Sequence, residues 1–295
     1  GDFSSRLFVS KLPFALRRTD PDVVHVPNSP VGHARATKAA CRLLRVPLVV
    51  DWWADQVGES NSDYRKLVKA ANAIIVPSET VKTVVRGHGG TGDDIYEIPP
   101  SIDFSLVEST DPDERVDYVY SRRLDGDANV ETFLLALAEL RTREWQAAVI
   151  GDGPALEDAK RTARDLRIQD QVAFVGTLPE AERVAMFKGA QVFAQTASHE
   201  PFATELLWAL ACGCVGIAEY QVDSAAHELI EHKSRLPGTR GSMVSTPQEL
   251  AESIIDAESM AHETVNSNYS TYDHESVIDQ YTDCYETVID DYGFF

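Results

Sequence analysis

The sequence predicts an α/β protein with two doubly wound, parallel-sheet lobes. Short apolar runs alternate with helix-like segments, a pattern typical of parallel sheets covered by helices on both faces. The length of 295 residues is typical of two domains. The alternation is interrupted once, near residues 101–116, where we expect the seam between the lobes.

The first lobe contains four predicted strands and opens with a helix that Pro13 is expected to shorten. The strands are predicted at Val23–Val26, Leu48–Val50, Ile74–Val76 and Ile95–Ile98. The helices between them are predicted at Gly32–Leu44, Ser62–Ala70 and Thr80–Arg86. Doubly wound domains usually have five or six strands. The lobe is therefore predicted to be incomplete, either by truncation of the chain or because it is naturally short.

The second lobe repeats the alternation. Its strands are predicted at Tyr118–Tyr120, Ala147–Ile150, Val172–Val175, Val192–Ala194 and Val215–Ala218. Its helices are predicted at Val130–Leu140, Ala155–Leu166, Glu180–Lys188 and Ala203–Ala211. The predicted division is a partial N-terminal lobe over 1–105, a second lobe over 106–258, and a helical tail over 259–295 that crosses back.

The charge of the chain excludes some classes of partner. The formal net charge is −20, which argues against a protein that neutralises nucleic-acid phosphates. The acidic excess lies after residue 100, and neither Lys nor Arg follows Arg240. An acidic, Lys-poor chain is expected in a high-salt cytoplasm, where salt screens self-repulsion. The alternative is an ordinary solvated acidic surface.

The cysteines and the N-terminal stretch bear on location. Four scattered Cys without a disulfide framework indicate reduced thiols and a cytoplasmic protein. No apolar run reaches the ~18 residues of a membrane span. Residues 3–18 are basic with helically spaced apolar positions, so they predict either a peripheral contact with the inner membrane face or a core-facing helix with a solvated charged side.

The most informative segment is Ser198–Gly213, which follows a predicted strand and opens a predicted helix. A helix N-terminus presents free N–H groups and partial positive charge, which suit a phosphate. Glu200 stands just ahead of this helix and can accept hydrogen bonds from sugar hydroxyls. The alternative is that Glu200 is merely a cap and dipole partner.

Further motifs occur before and after this segment, in an order that identifies a family resemblance. The motifs lie at Asp22-Val-Val-His25, Ile98–Asp103, Arg123-Leu124 with Asn129-Val-Glu131, Val149–Pro154, Val172–Gly176, Glu200–Thr204, Ala209–Gly213 and Glu228-Leu-Ile230. In this order and at these spacings, the chain from about residue 20 to 285 resembles a family-4, group 1 glycosyltransferase. The resemblance implies the GT-B fold of two Rossmann-like lobes and retaining, metal-independent transfer of a hexose from a nucleotide sugar to a hydroxyl of a glycan or lipid-linked acceptor.

The resemblance also implies roles for individual residues. It implies that Arg123 grips the donor diphosphate and that Glu200 orients the sugar, as the catalytic pair. The implied donor-binding residues are Arg122, Gly151, Gly176, Leu178, Phe202, Ala203, Thr204 and Glu228. The implied acceptor-side residues are His25, Asn28, Asp51 and Asp55. No metal and no cofactor beyond the donor substrate is implied.

The chain departs from the family pattern at several positions. Arg122 replaces a glycine, Ala128 replaces the second diphosphate cation, and Trp208 replaces a carboxylate that usually meets the ribose hydroxyls. Trp53 stands where a cleft histidine is expected. These substitutions leave a second class open: a transferase-like protein that binds nucleotide, glycan or a partner protein without turnover.

Three further alternatives rest on short motifs or on the fold. Asp-x-Asp strings at 20–22, 111–113 and 125–127 are compatible with a metal-dependent transferase, although they lie in turn contexts. Gly151-Asp-Gly153 resembles part of a dinucleotide fingerprint but lacks its third glycine, since Leu156 stands there. A sugar-nucleotide epimerase of the same fold would need a pair of acid–base carboxylates, and the sequence identifies no such pair.

Overall fold

The protein is described by a computed structural model covering residues 3–55, 60–113, 115–231 and 240–293, with side chains from residue 10 onward. Its contacts divide it into two compact units. The first unit comprises the chain up to Pro100 together with the C-terminal helix from Glu275, and the second comprises Ser101–His274.

The first unit is built on a four-stranded parallel sheet in the order β1-β2-β3-β4. The strands are β1 (Val24–Pro27), β2 (Leu48–Asp51), β3 (Ala73–Val76) and β4 (Ile95–Glu97). The helices before and between them are α1 (Phe3–Thr19), α2 (Val31–Leu44), α3 (Asn61–Val68) and α4 (Glu79–Gly87). Ser60 and Ser78 cap α3 and α4 by accepting hydrogen bonds from backbone N–H groups of the first turn.

Alternating strand residues build a core on each face of this sheet. Leu48 and Val50 face one cluster with Ile74, whereas Val49 and Ile75 face another. The alternation follows from the two-residue period of a strand. The second cluster is completed by apolar side chains of the C-terminal helix: Val277, Cys284 and Val288. Both faces of the sheet are therefore covered, as the sequence predicts.

Helix α1 corrects one expectation. Pro13 does not shorten it, because the helix runs through Pro13 to Thr19. A proline removes one backbone hydrogen bond, and here Leu16 packs against the core of the first unit beyond it. The apolar positions Phe3, Leu7 and Phe8 have side chains outside the described residues.

The second unit holds a six-stranded parallel sheet and a two-stranded one. The strands are β5 (Tyr118–Ser121), β6 (Ala147–Ile150), β7 (Val172–Gly176), β8 (Val192–Gln195), β9 (His199–Glu200), β10 (Val215–Glu219), β11 (Asp223–Ser224) and β12 (Gly241–Val244). The large sheet has the order β12-β10-β8-β5-β6-β7, and β9 pairs with β11. The chain winds outward from β5 in one direction and returns at β8 to wind in the other. This reversal is the topological switch point at which open α/β sheets bind ligands.

The helices of the second unit cover the large sheet. They are α5 (Phe104–Ser109), α6 (Val130–Glu139), α7 (Leu156–Asp165), α8 (Glu180–Gly189), α9 (Thr204–Ala211), α10 (Ala226–Glu231) and α11 (Pro247–Glu258). The final helix, α12 (His274–Gly293), leads back to the first unit.

Every strand and interstrand helix predicted from the sequence is present, with ends shifted by at most two residues. The prediction omitted the helices α5, α10 and α11 and the strands β9, β11 and β12. Helix α11 carried a readable signal, since Thr246 accepts a hydrogen bond from the N–H of Glu249 and Pro247 occupies the first turn.

The tail after residue 258 divides between the units. Tyr269 is fully buried in the core of the second unit. The side chain of Asp273 accepts a hydrogen bond from the N–H of Phe104 at 3.0 Å, and the N–H of Ile102 donates to the carbonyl of Tyr272 at 2.9 Å. Residues 259–274 therefore belong with the second unit, and only the helix that follows packs on the first.

Candidate functional site

A pocket of about 760 Å³ lies where β5, β6 and β7 of the second unit end. It is lined by Ser121, Arg122, Arg123, Ile150, Gly151, Asp152, Gly153, Pro154, Thr177, Leu178, Arg183 and Glu205. We call it the arginine pocket, after the three arginines in its wall. It opens at the carboxyl edge of the sheet beside the switch point, so its position suits a ligand.

Two glycines set the floor of the arginine pocket. Gly151 and Gly153 both have positive φ, at +132° and +155°. A Cβ on Gly151 would lie 1.9 Å from the carbonyl oxygen of Arg122, and one on Gly153 would lie 2.2 Å from that of Leu124. Only glycine permits this approach. The two glycines therefore allow the loop after β6 to pack directly against the loop that carries Arg122 and Arg123.

The two neighbouring arginines have different surroundings. Arg122 is mostly buried, and it donates hydrogen bonds to the carboxylate of Glu200 and to the carbonyl of His199. The Arg123 side chain is 73% exposed, and its Nε lies 3.8 Å from a carboxylate oxygen of Asp125. Arg123 is consequently the more accessible cation for a bound anion, as its predicted role requires.

Glu200 is a carboxylate with a perturbed affinity for protons. Burial raises the pKa of Glu200 from 4.5 to about 7, although the charge of Arg122 offsets part of this shift. Its backbone is fixed by the pairing of β9 with β11 and by a hydrogen bond from the N–H of Ala225 to its carbonyl at 2.8 Å. Glu200 is thus more than a helix cap, since its side chain bonds to Arg122.

The loop between β5 and α6 is tied down by its own polar groups. Asn129 adopts a left-handed conformation, and its amide donates to the carbonyl of Thr196 and to the carboxylate of Glu219. The hydroxyl of Tyr120 donates to the carbonyl of Ala128, whose side chain is fully buried. The position at which the family pattern has a cation therefore faces the core of this protein.

Sequence reasoning did not predict the carboxylate of Glu205 as part of the site. Glu205, in the first turn of α9, accepts a hydrogen bond from the hydroxyl of Ser121 at 2.5 Å. The Nε of Arg183, on α8, lies 3.2 Å from the same carboxylate. Burial raises the pKa of Glu205, and the positive charge of Arg183 offsets only part of this shift. Trp208, one turn later, is buried in the core.

The other predicted donor-binding residues are distributed around the same edge of the sheet. Leu178 lines the arginine pocket, and Gly176 ends β7 with its carbonyl accepting the N–H of Gly151 at 2.8 Å. Phe202 and Ala203 are buried just ahead of α9, where the N–H of Thr204 donates to the carbonyl of Phe202. Glu228 lies in the first turn of α10, after β11. Contact of these residues with a donor stays a prediction.

Two predicted acceptor-side residues lie on neighbouring strands of the first unit. His25 is in β1, and Asp51 ends β2. The Nδ1 of His25 lies 2.7 Å from the hydroxyl of Tyr285, on α12, and its buried Nε2 has no hydrogen-bond partner among the described residues. Burial lowers the pKa of His25, an effect that the charge of Asp51 partly offsets.

The other two predicted acceptor-side residues, Asn28 and Asp55, hold the loop after β2 in place. Asn28 is buried, and its side-chain amide donates to the carbonyl of Ala54 at 3.0 Å. Asp55 accepts from the indole N–H of Trp52 at 3.2 Å and lies 2.6 Å from the Nε2 of His88. The partners His88 and Tyr285 come from distant parts of the sequence, so spacing alone gave no signal for them.

None of the helices in the described ranges combines the length and apolar character needed to cross a bilayer.

Comparisons with known proteins match this chain to two glycosyltransferase family models and to several known proteins. A family model described as glycosyl transferases group 1 matches residues 102–272, and one described as glycosyltransferase family 4 matches residues 4–106. An alpha-monoglucosyldiacylglycerol synthase of Streptococcus pneumoniae is 33% identical over 98 residues, which are 32% of this chain and 22% of that protein. A lipopolysaccharide 1,6-galactosyltransferase of Salmonella typhimurium is 26% identical over 204 residues, which are 67% of this chain and 56% of that protein. The chain thus aligns with less than two thirds of either curated relative.

Solved structures share the fold at low sequence identity. HepE of Anabaena, solved in complex with UDP, has a TM-score of 0.77 and 18% identity, over 95% of this chain and 82% of that one. The apo form of the lipopolysaccharide outer core galactosyltransferase WaaB has a TM-score of 0.75 and 19% identity, over 96% and 80% of the two chains. These likenesses confirm the predicted GT-B-like α/β fold with parallel sheets in two lobes. Because the group 1 model alone spans more than half of the 295 residues, the chain belongs to the group 1 glycosyl transferases.

Proposed function

We propose that this protein is a retaining glycosyltransferase that moves a hexose from a nucleotide sugar to a hydroxyl of a glycan or lipid-linked acceptor. The observation that carries the proposal is the arginine pocket, in which cations and backbone glycines meet at the switch point of the second sheet. Family membership supports the reaction class. HepE, a structural neighbour, has been solved with UDP and with UDP-glucose.

In the proposed donor complex, the diphosphate lies against Arg123. The guanidinium is accessible, permanently charged and shaped for two parallel hydrogen bonds to phosphate oxygens. As the bond to the sugar breaks, negative charge accumulates on the leaving diphosphate, so a fixed cation stabilises the transition state more than the ground state. The protein uses this cation in place of a metal.

Glu200 is proposed to orient the transferred sugar. Its carboxylate is mostly buried and held by Arg122, so its oxygens are fixed acceptors for sugar hydroxyls. Arg122 therefore has two proposed roles. It holds the carboxylate of Glu200 in place, and it adds positive charge to the wall of the arginine pocket.

The acceptor is proposed to bind the first unit beside His25, Asp51 and Asp55. A lipid-linked acceptor is supported by the similarity to the alpha-monoglucosyldiacylglycerol synthase of Streptococcus pneumoniae. It is also supported by α1, whose described end exposes Phe14 next to Arg17 and Arg18. We further propose a cytoplasmic protein with peripheral membrane contact, because all four cysteines are free and buried.

One observation favours the alternative of binding without turnover. The Arg122 guanidinium is already paired with Glu200, and Ala128 is buried where the family pattern has a cation. The protein would then hold a nucleotide or glycan without transferring sugar.

Calorimetric titration with UDP, GDP and their sugars tests the donor site. We expect Arg123→Ala to weaken nucleotide binding by about 10- to 100-fold, the effect of losing a charge-assisted contact. Arg161→Ala is the matched control, because Arg161 is an exposed arginine on α7 outside the arginine pocket. Equal affinities in the two variants would remove Arg123 from the donor site.

A second measurement separates transfer from binding. Incubation with the best-bound nucleotide sugar and a diacylglycerol or oligosaccharide acceptor is followed by proton NMR of the anomeric signal. We expect a product with the anomeric configuration of the donor, and none in Glu200→Ala. Nucleotide binding without sugar transfer or sugar release would favour the alternative.

A further inference from the structure

Gln195 is a buried amide at the carboxyl end of β8, the strand at which the second sheet reverses its direction of winding. Only 3% of the residue is exposed. Its oxygen Oε1 has no hydrogen-bond partner among the described residues. A buried amide oxygen without a partner destabilises a fold, because its bonds to water are lost and not replaced. An apolar side chain of the same size would avoid this loss, so stability alone does not explain a glutamine at this position.

The nitrogen end of the same amide bonds to Glu200. A hydrogen bond from the side chain of Gln195 lowers the pKa of Glu200, against the larger effect of burial. This direction means that the bond stabilises the carboxylate form, and a carboxylate only accepts hydrogen bonds. The amide nitrogen of Gln195 is therefore the donor, which agrees with the oxygen being the unpaired atom.

The carboxylate of Glu200 is consequently held from two neighbouring strands. Arg122 follows β5 directly and donates to this carboxylate, whereas Gln195 ends β8. β5 and β8 pair side by side in the large sheet, with Val119 opposite Phe193. Side chains carried by paired strands hold a functional group more precisely than side chains on loops do. The two donors therefore leave Glu200 little freedom to turn.

We propose that Gln195 is a positioning residue for Glu200, and that its amide nitrogen fixes the carboxylate in the orientation that meets the transferred sugar. This role rests on the proposed function, because it requires that Glu200 contact the sugar. Gln195 acts only through Glu200, since it is itself buried. Misplacing an orienting group by about 1 Å can reduce a rate by about 100-fold. The glutamine thus supports catalysis while its unpaired oxygen destabilises the fold, a combination common at active sites.

The test replaces Gln195 with methionine, which is unbranched and of similar length but has no hydrogen-bond donor. We expect kcat for sugar transfer to fall by at least about tenfold. The affinity for UDP and GDP and the KM for the nucleotide sugar should be unchanged, because Arg123 still binds the diphosphate. The midpoint of urea unfolding should equal or exceed that of the native protein, because the unpaired oxygen is gone. Gln195→Leu, which has another shape but also lacks the donor, should behave in the same way.

A pH profile distinguishes positioning of Glu200 from general structural damage. Loss of the bond from Gln195 raises the pKa of Glu200 further, because that bond opposes the effect of burial. Sugar hydroxyls donate to the charged carboxylate. The rise of kcat/KM with pH should therefore occur at higher pH in Gln195→Met than in the native protein.

Gln191→Met is the matched control, because it makes the same substitution at the opposite end of the same strand. Gln191 lies just before β8, and its side-chain amide donates to the carbonyls of Ala257 at 2.8 Å and Met260 at 3.1 Å. We expect the reverse pattern from this variant. The urea midpoint should fall because hydrogen bonds are lost, whereas kcat and the pH profile should match those of the native protein.

The outcomes separate the role of Gln195 from the proposed function. Native kcat and a native pH profile in both Gln195 variants would overturn the positioning role while leaving the transferase intact. A lower urea midpoint with an unshifted pH profile would assign Gln195 a structural role and overturn the proposal equally. Absence of sugar transfer by the native protein overturns the proposed function, and the positioning role with it.

Discussion

Replacing Gly151 with alanine is expected to disable the arginine pocket while leaving most of the fold in place. Gly151 has a φ of +132°, and an added Cβ would lie 1.9 Å from the carbonyl oxygen of Arg122. Cβ atoms in proteins essentially never approach closer than 3.0 Å. The loop after β6 must therefore separate from the loop of Arg122 and Arg123 by roughly 1 Å, a displacement that can reduce binding or catalysis by about 100-fold.

The cost in stability can be worked from the same geometry. The backbone conformation alone costs about 1–3 kcal/mol for a non-glycine residue. The two loops are also joined by hydrogen bonds from the N–H of Arg122 to Ile150 and from that of Leu124 to Asp152, both at 3.0 Å. Weakening these bonds adds about 0.5–1.5 kcal/mol each. We expect a total loss of about 2–6 kcal/mol in the free energy of unfolding.

Two matched variants separate the contributions. Gly176 has a φ of +71° but nothing within 4 Å of its added Cβ, so Gly176→Ala isolates the backbone cost of about 1–2 kcal/mol. Gly126 has neither a strained φ nor a neighbour within 4 Å, so Gly126→Ala should be nearly neutral. Urea unfolding measures stability, and calorimetry with UDP and GDP measures binding.

The ranking of these three variants tests the structural role of Gly151. Gly151→Ala should be the least stable of the three and the weakest nucleotide binder. If it matches Gly126→Ala in both measurements, the loops are not pressed together as described, and the structural role of Gly151 is refuted.

Three further predictions concern protonation, a buried lysine and salt. Because the pKa of Glu200 is raised from 4.5 to about 7, stability from its bound proton is full below about pH 4.5 and is lost as the pH rises through about 7. Glu200→Gln should therefore gain stability relative to the native protein between about pH 5 and pH 8, by about 1 kcal/mol or more; parallel unfolding profiles against pH would contradict this. Lys188 is buried and donates hydrogen bonds to the carbonyls of Val107 and Thr110. Lys188→Met should therefore lower the free energy of unfolding in urea by about 1–3 kcal/mol. An unchanged unfolding midpoint would show that these hydrogen bonds do not stabilise the protein. The net charge of −20 predicts that the thermal midpoint rises strongly between low and molar KCl; an insensitive midpoint would reject adaptation to high salt.

The sequence was sufficient for the fold because its signals are local. Apolar runs such as Ala147–Ile150 and Val192–Gln195 are short, fully buried and bounded by turns, so each indicates a strand of a sheet covered on both sides. The order of motifs then identified the family. The elements that the prediction missed are short or lie late in the chain, as with α5, which has six residues.

The candidate site was only partly accessible from sequence. Arg123, Gly151 and Leu178 line one pocket, as the motifs implied. Arg183 and Glu205 were missed, because they lie on different helices and become neighbours only when α8 and α9 pack together.

Tertiary structure also decided what the unusual residues do. The sequence shows an arginine where the family pattern has glycine, but the pairing of Arg122 with Glu200 exists only because folding brings the loop after β5 beside β9, a strand of the separate two-stranded sheet. It shows alanine at position 128, but only folding reveals that this position is buried. The sequence by itself determined the strands, helices and family, since those follow from periodicity and local motifs. The charge partners of Glu200 and Glu205 and the exposure of Arg123 were decided by packing between segments that are far apart in the chain.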